Sequence, residues 1–288
     1  MQHFIRALTR QARGAWRTVW SAINLFVDDQ GLSWAAAIGL FLFLSVPPFV
    51  VATATVAGAF VPVEQGEAFV IEQVAKYLPA EQELLEGIVA ARPTDALGGI
   101  ISVALLLFSG SRAFAALISA VNVMWRRVDR LTFLRRQALR SGMLLVTLVL
   151  LGLAALSEAA VSTLFGDGNS EDQVWLLDWQ LIPAILLTAF LLAAYKLLPR
   201  DPVPWSHAAL GALVAAVGVR IAQAGLGWLS ETGVFRTPYG DLEGVAVLAT
   251  WAFVVGVIIV FGAAIVAALG GKRPIEGEAD ERFSRSTG

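Results

Sequence analysis

Three charged residues, Arg112, Glu158 and Arg220, lie inside long apolar stretches of the sequence. A bare charge at the centre of a bilayer costs at least about 2.5 kcal/mol, so such a residue normally faces protein, water or a bound ion. A guanidinium group is well suited to bind a phosphate or carboxylate. These three residues are therefore candidates for a polar substrate path.

Each of the three charges has more than one interpretation. Arg112 could extend its side chain to the cytoplasmic headgroups, or it could bind a lipid phosphate. Arg220 falls near mid-membrane, and it needs a carboxylate, a water-filled cavity or a substrate anion. A buried pair with Glu158 would meet that need, whereas Glu158 could instead lie at the outer interface.

A proline pair and a tyrosine complete the candidate path. Pro47 and Pro48 remove two amide donors from the centre of an apolar stretch, which predicts a kink and carbonyl groups without their usual partners. Broken helices often border transporter binding sites, although a simple packing kink is the alternative. Tyr239 follows Pro238 and precedes Gly240, a pattern that predicts a tight turn; a ligand contact is the second interpretation.

The residue types argue against most catalytic chemistry. The chain has no cysteine and only two histidines, His3 and His207, which leaves little material for a metal centre or a histidine base. The carboxylates are scattered instead of clustered, and the net charge is -2, which gives no overall basic field for nucleic acid. We therefore expect a protein that is not an enzyme, with no catalytic residues, no metal, no cofactor and no nucleic-acid partner.

The elements that must position these residues are apolar helices. Of the 288 residues, 57% are hydrophobic and 15% are charged. A membrane-spanning helix needs about 20 mostly apolar residues. Six stretches meet this requirement, which predicts an all-α integral membrane protein with six transmembrane helices: 34–61, 96–121, 137–165, 176–198, 206–229 and 242–269.

The distribution of basic residues predicts the orientation. Cytoplasmic flanks of membrane helices are enriched in lysine and arginine. Fifteen of the 21 basic residues fall on one side of the predicted bundle, so both termini should be cytoplasmic. Arg126, Arg127 and Arg130 form part of that basic side and could bind anionic lipid, or they could serve topology alone.

Three segments flank or interrupt the bundle of 31–270. Residues 1–30 place arginines opposite apolar residues at helical spacing, which predicts an amphipathic helix on the membrane surface; docking onto the bundle is the alternative. Residues 62–95 predict two short acidic helices in an outer loop, either a cap on the spans or a lid over a substrate opening. The polar tail, 271–288, is expected to be disordered.

Several short motifs follow one another in a characteristic order along nearly the whole chain. They are Ser33-Trp34-Ala35-Ala36-Ala37, Leu44-Ser45-Val46-Pro47-Pro48, Tyr77-Leu78-Pro79, Ser111-Arg112-Ala113-Phe114, Val121-Asn122, Trp125-Arg126, Leu198-Pro199, Trp205, Gly211-Ala212, Tyr239-Gly240, Trp251 and Gly262-Ala263. In this order the chain resembles the BrkB-like or YihY-like inner-membrane proteins of bacteria, once labelled ribonuclease BN. It departs from them at Ala264, where an acidic residue is common, and near Gly227-Trp228.

The resemblance implies a six-helix protein of the bacterial inner membrane, with lipid or amphiphile movement as one suggested role. The residues themselves provide none of the paired acid and base that a ribonuclease needs. Our preferred expectation is binding or movement of an amphipathic anionic molecule, with a lipid as the favoured candidate. A non-transporting membrane scaffold or assembly factor is the alternative. Membrane lipids are the expected partners, and a homo-oligomer is a possible assembly.

Overall fold

The computed structural model describes residues 16–57, 67–75 without 69 and 73, 82–91, 96–125, 181–271 and scattered positions between 134 and 147. All regular structure in these residues is helical. The helices are α1 (16–28), α2 (Gly31–Ala57), α3 (Gln82–Ala90), α4 (Ala96–Met124), α5 (Leu181–Leu197), α6 (Trp205–Glu231), the short α7 (Arg236–Tyr239) and α8 (Glu243–Leu269). A 3-10 turn, Gly240–Leu242, joins α7 to α8.

Within the part of the chain that the structure describes, four helices are long and apolar enough to cross a membrane: Gly31–Thr55, Ile100–Met124, Trp205–Ser230 and Glu243–Leu269. A further helix, Ala184–Leu197, is apolar but shorter. The prediction of an all-helical membrane protein is confirmed, and these four helices match the first, second, fifth and sixth predicted spans. Most of the third predicted span, 137–165, lies outside the described residues, so the total of six stays a prediction.

Helix α8 occupies the centre of the described bundle. It packs against α2 on one side and α6 on the other, while α4 packs on α2 and α5 packs on α6. The five described long helices therefore lie in the order α4, α2, α8, α6, α5. Valines, alanines and glycines fill α8, and these small side chains let neighbouring helices approach closely.

Glycines mark the closest backbone approaches. A Cβ on Gly39 would lie 2.8 Å from the Cα of Phe253, and a Cβ on Gly256 would overlap the carbonyl oxygen of Ala35. These reciprocal contacts show that α2 and α8 run antiparallel. On the other side of α8, a Cβ on Gly211 would lie 3.1 Å from the carbonyl oxygen of Gly262.

The bundle has two ends, each named here after one residue that lies there. At the end that we call the Asn122 end, α4 and α5 finish, α6 begins and α8 finishes. At the opposite, Glu243 end, α2 and α6 finish and α8 begins. A second apolar cluster lies at the Glu243 end, where helical residues of the outer loop pack on α2 and α8: Val46, Val50, Ala54, Val70, Val74, Leu85, Val89 and Leu248.

The proline pair lies within a continuous helix. Helix α2 runs through Pro47 and Pro48 without a break, so the pair does not divide the first span. The ring of proline fixes φ close to the helical value, and Val46 and Val50 are buried against the outer cluster on either side. The packing thus holds the helix together where two backbone hydrogen bonds are missing.

Helix α1 docks on the bundle through one face. Ala22, Leu25 and Phe26 are buried in the main core, and the Phe26 ring lies 6.0 Å from that of Phe261 on α8 in an edge-to-face arrangement. The opposite face exposes Trp16 and other apolar side chains. Arg6, Arg10 and Arg13 lie outside the described residues, so for them the surface helix and the docked helix both stay predictions. The tail after residue 271 also lies outside the described residues.

Candidate functional site

Arg112 lies on an exposed apolar stripe of α4. The residue is exposed, and its guanidinium carbon lies 5.5 Å from the centroid of the Phe41 ring on α2. At 1.5 Å per residue, Arg112 is about 18 Å from Met124 and about 24 Å from Ala96 along the helix, well away from both ends. The stripe consists of side chains at helical spacing that are exposed among the described residues: Ile101, Leu105, Phe108 and Arg112.

Arg220 is half-buried on α6. Its Nη1 donates a hydrogen bond to Oε1 of Gln223, at 3.1 Å, one turn along the same helix. Gln223 is not among the candidates predicted from the sequence, although residues three apart on a helix are neighbours and its spacing from Arg220 contained that signal. Glu158 lies outside the described residues, so the predicted Glu158–Arg220 pair stays a prediction.

The other predicted residues fall in three places. Pro47 and Pro48 are on α2, next to the apolar cluster at the Glu243 end. Tyr239 is exposed at the end of α7, where Gly240 adopts a positive φ of 52° and the predicted tight turn is found. Arg126, Arg127 and Arg130 lie outside the described residues. The described candidates are therefore not gathered into one site.

A cavity at the Glu243 end is lined in part by a buried carboxylate residue, Glu243. It measures about 610 Å³ and lies between α3 and the connection from α7 to α8. Its lining residues are Glu83, Leu84, Gly87, Ile88, Ala91, Arg236, Gly240, Glu243, Gly244 and Val245.

Glu243 is the buried group of this cavity. It is only 7% exposed, in the first turn of α8, where the positive end of the helix dipole stabilises a negative charge. Glu243 is not among the candidates predicted from the sequence, although the last span was predicted correctly. The sequence did contain a signal for it, because Glu243 is a carboxylate at the start of the most apolar helix, on the same side of the membrane as the acidic outer loop.

Two stretches of the family resemblance meet at the Asn122 end. The side-chain amide of Asn122 donates to the carbonyl oxygens of Ile118, at 2.8 Å, and Leu198, at 3.0 Å. Its oxygen accepts a hydrogen bond from the backbone amide of Arg200, at 3.1 Å. Asn122 is 2% exposed, so this bridge between α4 and the end of α5 is internal. These hydrogen bonds position the two helices relative to each other.

Comparison with known families decides where the chain belongs. The model of the family described as Virulence factor BrkB matches residues 22–287. The chain belongs to the BrkB family. The sequence resemblance to BrkB-like proteins is thereby confirmed over most of the chain.

Relatives within the BrkB family carry general names. The chain is 27% identical over 257 residues to a UPF0761 membrane protein of Photobacterium profundum, with 83% of this chain and 76% of that protein covered. It is 25% identical over 211 residues to a UPF0761 membrane protein of Vibrio cholerae, with 65% and 70% covered. A UPF0761 membrane protein of Tolumonas auensis is 34% identical over 92 residues, which is 32% of this chain and 30% of that protein. No solved structure matches the chain.

The BrkB family motifs coincide with close contacts in the bundle. Gly262 faces the hydroxyl of Tyr195, which donates a hydrogen bond to the carbonyl oxygen of Ile259 at 2.7 Å. Gly211 lies beside Gly262 at the contact between α6 and α8. These two glycine motifs of the family resemblance therefore lie where helices pack closely.

Proposed function

We propose that this BrkB-family membrane protein binds or moves an amphipathic anionic molecule, with a lipid as the favoured ligand, and that its role is not enzymatic. The observation that carries the proposal is the exposed guanidinium of Arg112 at mid-helix. Its described contact, the Phe41 ring, stabilises the cation without neutralising it. An anionic headgroup would supply the missing negative charge.

The stripe on α4 suits both parts of an amphipathic ligand. Leu105 and Phe108 precede Arg112 by seven and four residues, so they lie on the same face of the helix. Both side chains are more than half exposed, at 54% and 62%. A hydrocarbon chain lying along these residues would place its anionic head next to Arg112.

Replacing Arg112 by glutamine should weaken the preference for anionic lipid. A hydrogen bond to a charged group contributes about 1.5–3 kcal/mol, so we expect roughly a tenfold or greater loss of affinity for phosphatidylglycerol and little change for phosphatidylcholine. Arg112→Lys should retain part of the preference, because the charge remains while the planar guanidinium is lost. Binding of purified protein to vesicles of each composition measures the effect.

Arg200→Gln is the matched control, since Arg200 is an exposed arginine outside α4 whose backbone, not its side chain, contacts Asn122. This variant should bind anionic vesicles like the parent protein. If Arg112→Gln also binds like the parent, the proposed lipid site is wrong, and the scaffold or assembly role becomes the better explanation.

We further propose that the protein lies in the bacterial inner membrane with the Asn122 end and both termini in the cytoplasm. The chain contains no cysteine, so single introduced cysteines report location without background. Thr232 and Ser206 are exposed near opposite ends of α6. A cysteine at Thr232 should react with an impermeant maleimide added outside intact spheroplasts, whereas one at Ser206 should react only after permeabilisation. The reverse labelling would contradict the orientation.

A further inference from the structure

The cavity at the Glu243 end holds a carboxylate for which the described residues provide no partner. Glu243 lines the cavity and is 7% exposed, and its side chain makes no hydrogen bond or ion pair with the described part of the chain. A negative charge at a largely buried position needs compensation from other groups. The helix dipole of α8 supplies only part of it, so a cation in the cavity would add stabilisation.

We propose that this cavity binds a primary ammonium group with Glu243 as its principal anchor. The site is separate from Arg112, and the proposal does not depend on the function proposed above. A primary ammonium has three donors, and the carboxylates of Glu243 and Glu83 both line the cavity as acceptors.

The lining residues favour a primary over a quaternary ammonium. Quaternary ammonium groups are typically held by aromatic side chains through cation–π contacts. None of the described residues that line this cavity is aromatic. Hydrogen bonds to carboxylates are therefore the recognition that this site offers, and a trimethylated nitrogen has no hydrogen to donate.

The remaining lining residues indicate a zwitterionic ligand. Arg236 lines the same cavity and could bind a phosphate or carboxylate that neighbours the ammonium. Leu84, Ile88 and Val245 provide an apolar wall, and the volume of about 610 Å³ lies within the usual range for small-molecule sites. An amino-alcohol phosphate, either free or as a lipid headgroup, has this chemistry.

The test compares three ligands on the purified full-length protein: short-chain phosphatidylethanolamine, the matching phosphatidylcholine and free phosphoethanolamine. The two primary amines separate a lipid from a soluble source, and tight binding of either one supports the site. We expect at least one of them to bind roughly ten times more tightly than phosphatidylcholine, in line with a charge-assisted hydrogen bond. Equal binding of all three ligands would overturn the proposal.

Two cavity variants and one control variant connect that preference to the cavity. Glu243→Gln should remove the preference for the primary amine, whereas Glu86→Gln, on an exposed residue of α3 outside the lining, should leave it unchanged. Gly87→Leu should also weaken binding by filling the cavity, because a Cβ at Gly87 meets no atom within 4 Å. The Gly87→Leu variant should fold normally, since leucine favours a helix more than glycine does.

The outcomes distinguish the two sites. A protein with Arg112→Gln should keep its preference for the primary amine even if its binding to anionic vesicles is lost. If Glu243→Gln and Gly87→Leu both retain the preference in folded protein, Glu243 is not the anchor and the inference is wrong.

Discussion

Replacing Gly256 by alanine is expected to lower the free energy of unfolding by about 3 kcal/mol or more, at the upper end of the usual range for overpacking. A Cβ at this position would overlap the carbonyl oxygen of Ala35, a backbone atom that no side-chain rotation can move. Helix α2 would have to shift away from α8, and the contacts around Gly39 would open with it. Thermal unfolding of the purified protein in detergent measures the loss.

Gly225→Ala provides the matched control for that prediction. Gly225 lies within α6, and a Cβ there meets no atom within 4 Å. Because alanine is preferred over glycine inside a helix by about 0.5–1 kcal/mol, this variant should melt at the parent temperature or slightly above it. Equal melting temperatures for the parent, Gly225→Ala and Gly256→Ala would show that α2 and α8 do not touch as closely as described.

The positions of the spans could be predicted because membrane helices carry their signal in local composition. Long apolar stretches identified α2, α4, α6 and α8 to within a few residues of their bounds. Ala208, Ala212 and Ala216 are small residues spaced by four on α6, a pattern that favours close helix packing, and all three are buried. Each of these inferences needs only one helix at a time.

Features that depend on two helices could not be predicted in the same way. The contact of Gly256 with Ala35 requires knowing that α8 packs antiparallel to α2, and no single stretch of sequence specifies that pairing. The burial of Glu243 similarly depends on where α3 lies. The apolar pattern identified Arg112 and Arg220 because each breaks it, but the pattern could not name Phe41 as a neighbour.

The resemblance to a family pointed to Asn122 without giving a reason. The structure supplies one, because the side chain satisfies three backbone groups from two parts of the chain. The Asn122 and Leu198 motifs are 76 residues apart in sequence and adjacent in space. Such a bridge holds α4 and α5 in register at the end of the bundle where both finish.

The Asn122→Asp variant should test this bridge because aspartate has nearly the same shape and different hydrogen-bonding chemistry. An ionised aspartate could still accept the hydrogen bond from the amide of Arg200, but it would set a negative charge against the carbonyl oxygens of Ile118 and Leu198. Leaving buried groups unpaired costs about 1–3 kcal/mol each, and more when a charge is involved. We expect a loss of about 3 kcal/mol or more in the free energy of unfolding, measured by thermal denaturation.

Ser109→Ala sets the scale for a hydrogen bond that connects no helices. Ser109 is 4% exposed on the same helix, and its hydroxyl donates to the carbonyl oxygens of Leu105 and Leu106 within α4. Those carbonyls belong to the helix's own backbone ladder, so this variant should lose no more than about 1 kcal/mol. A much larger loss for Asn122→Asp would locate the difference in the link to Leu198 and Arg200. Equal losses in the two variants would contradict the bridge, because the contacts of Asn122 outside α4 would then contribute nothing beyond an ordinary intrahelical hydrogen bond.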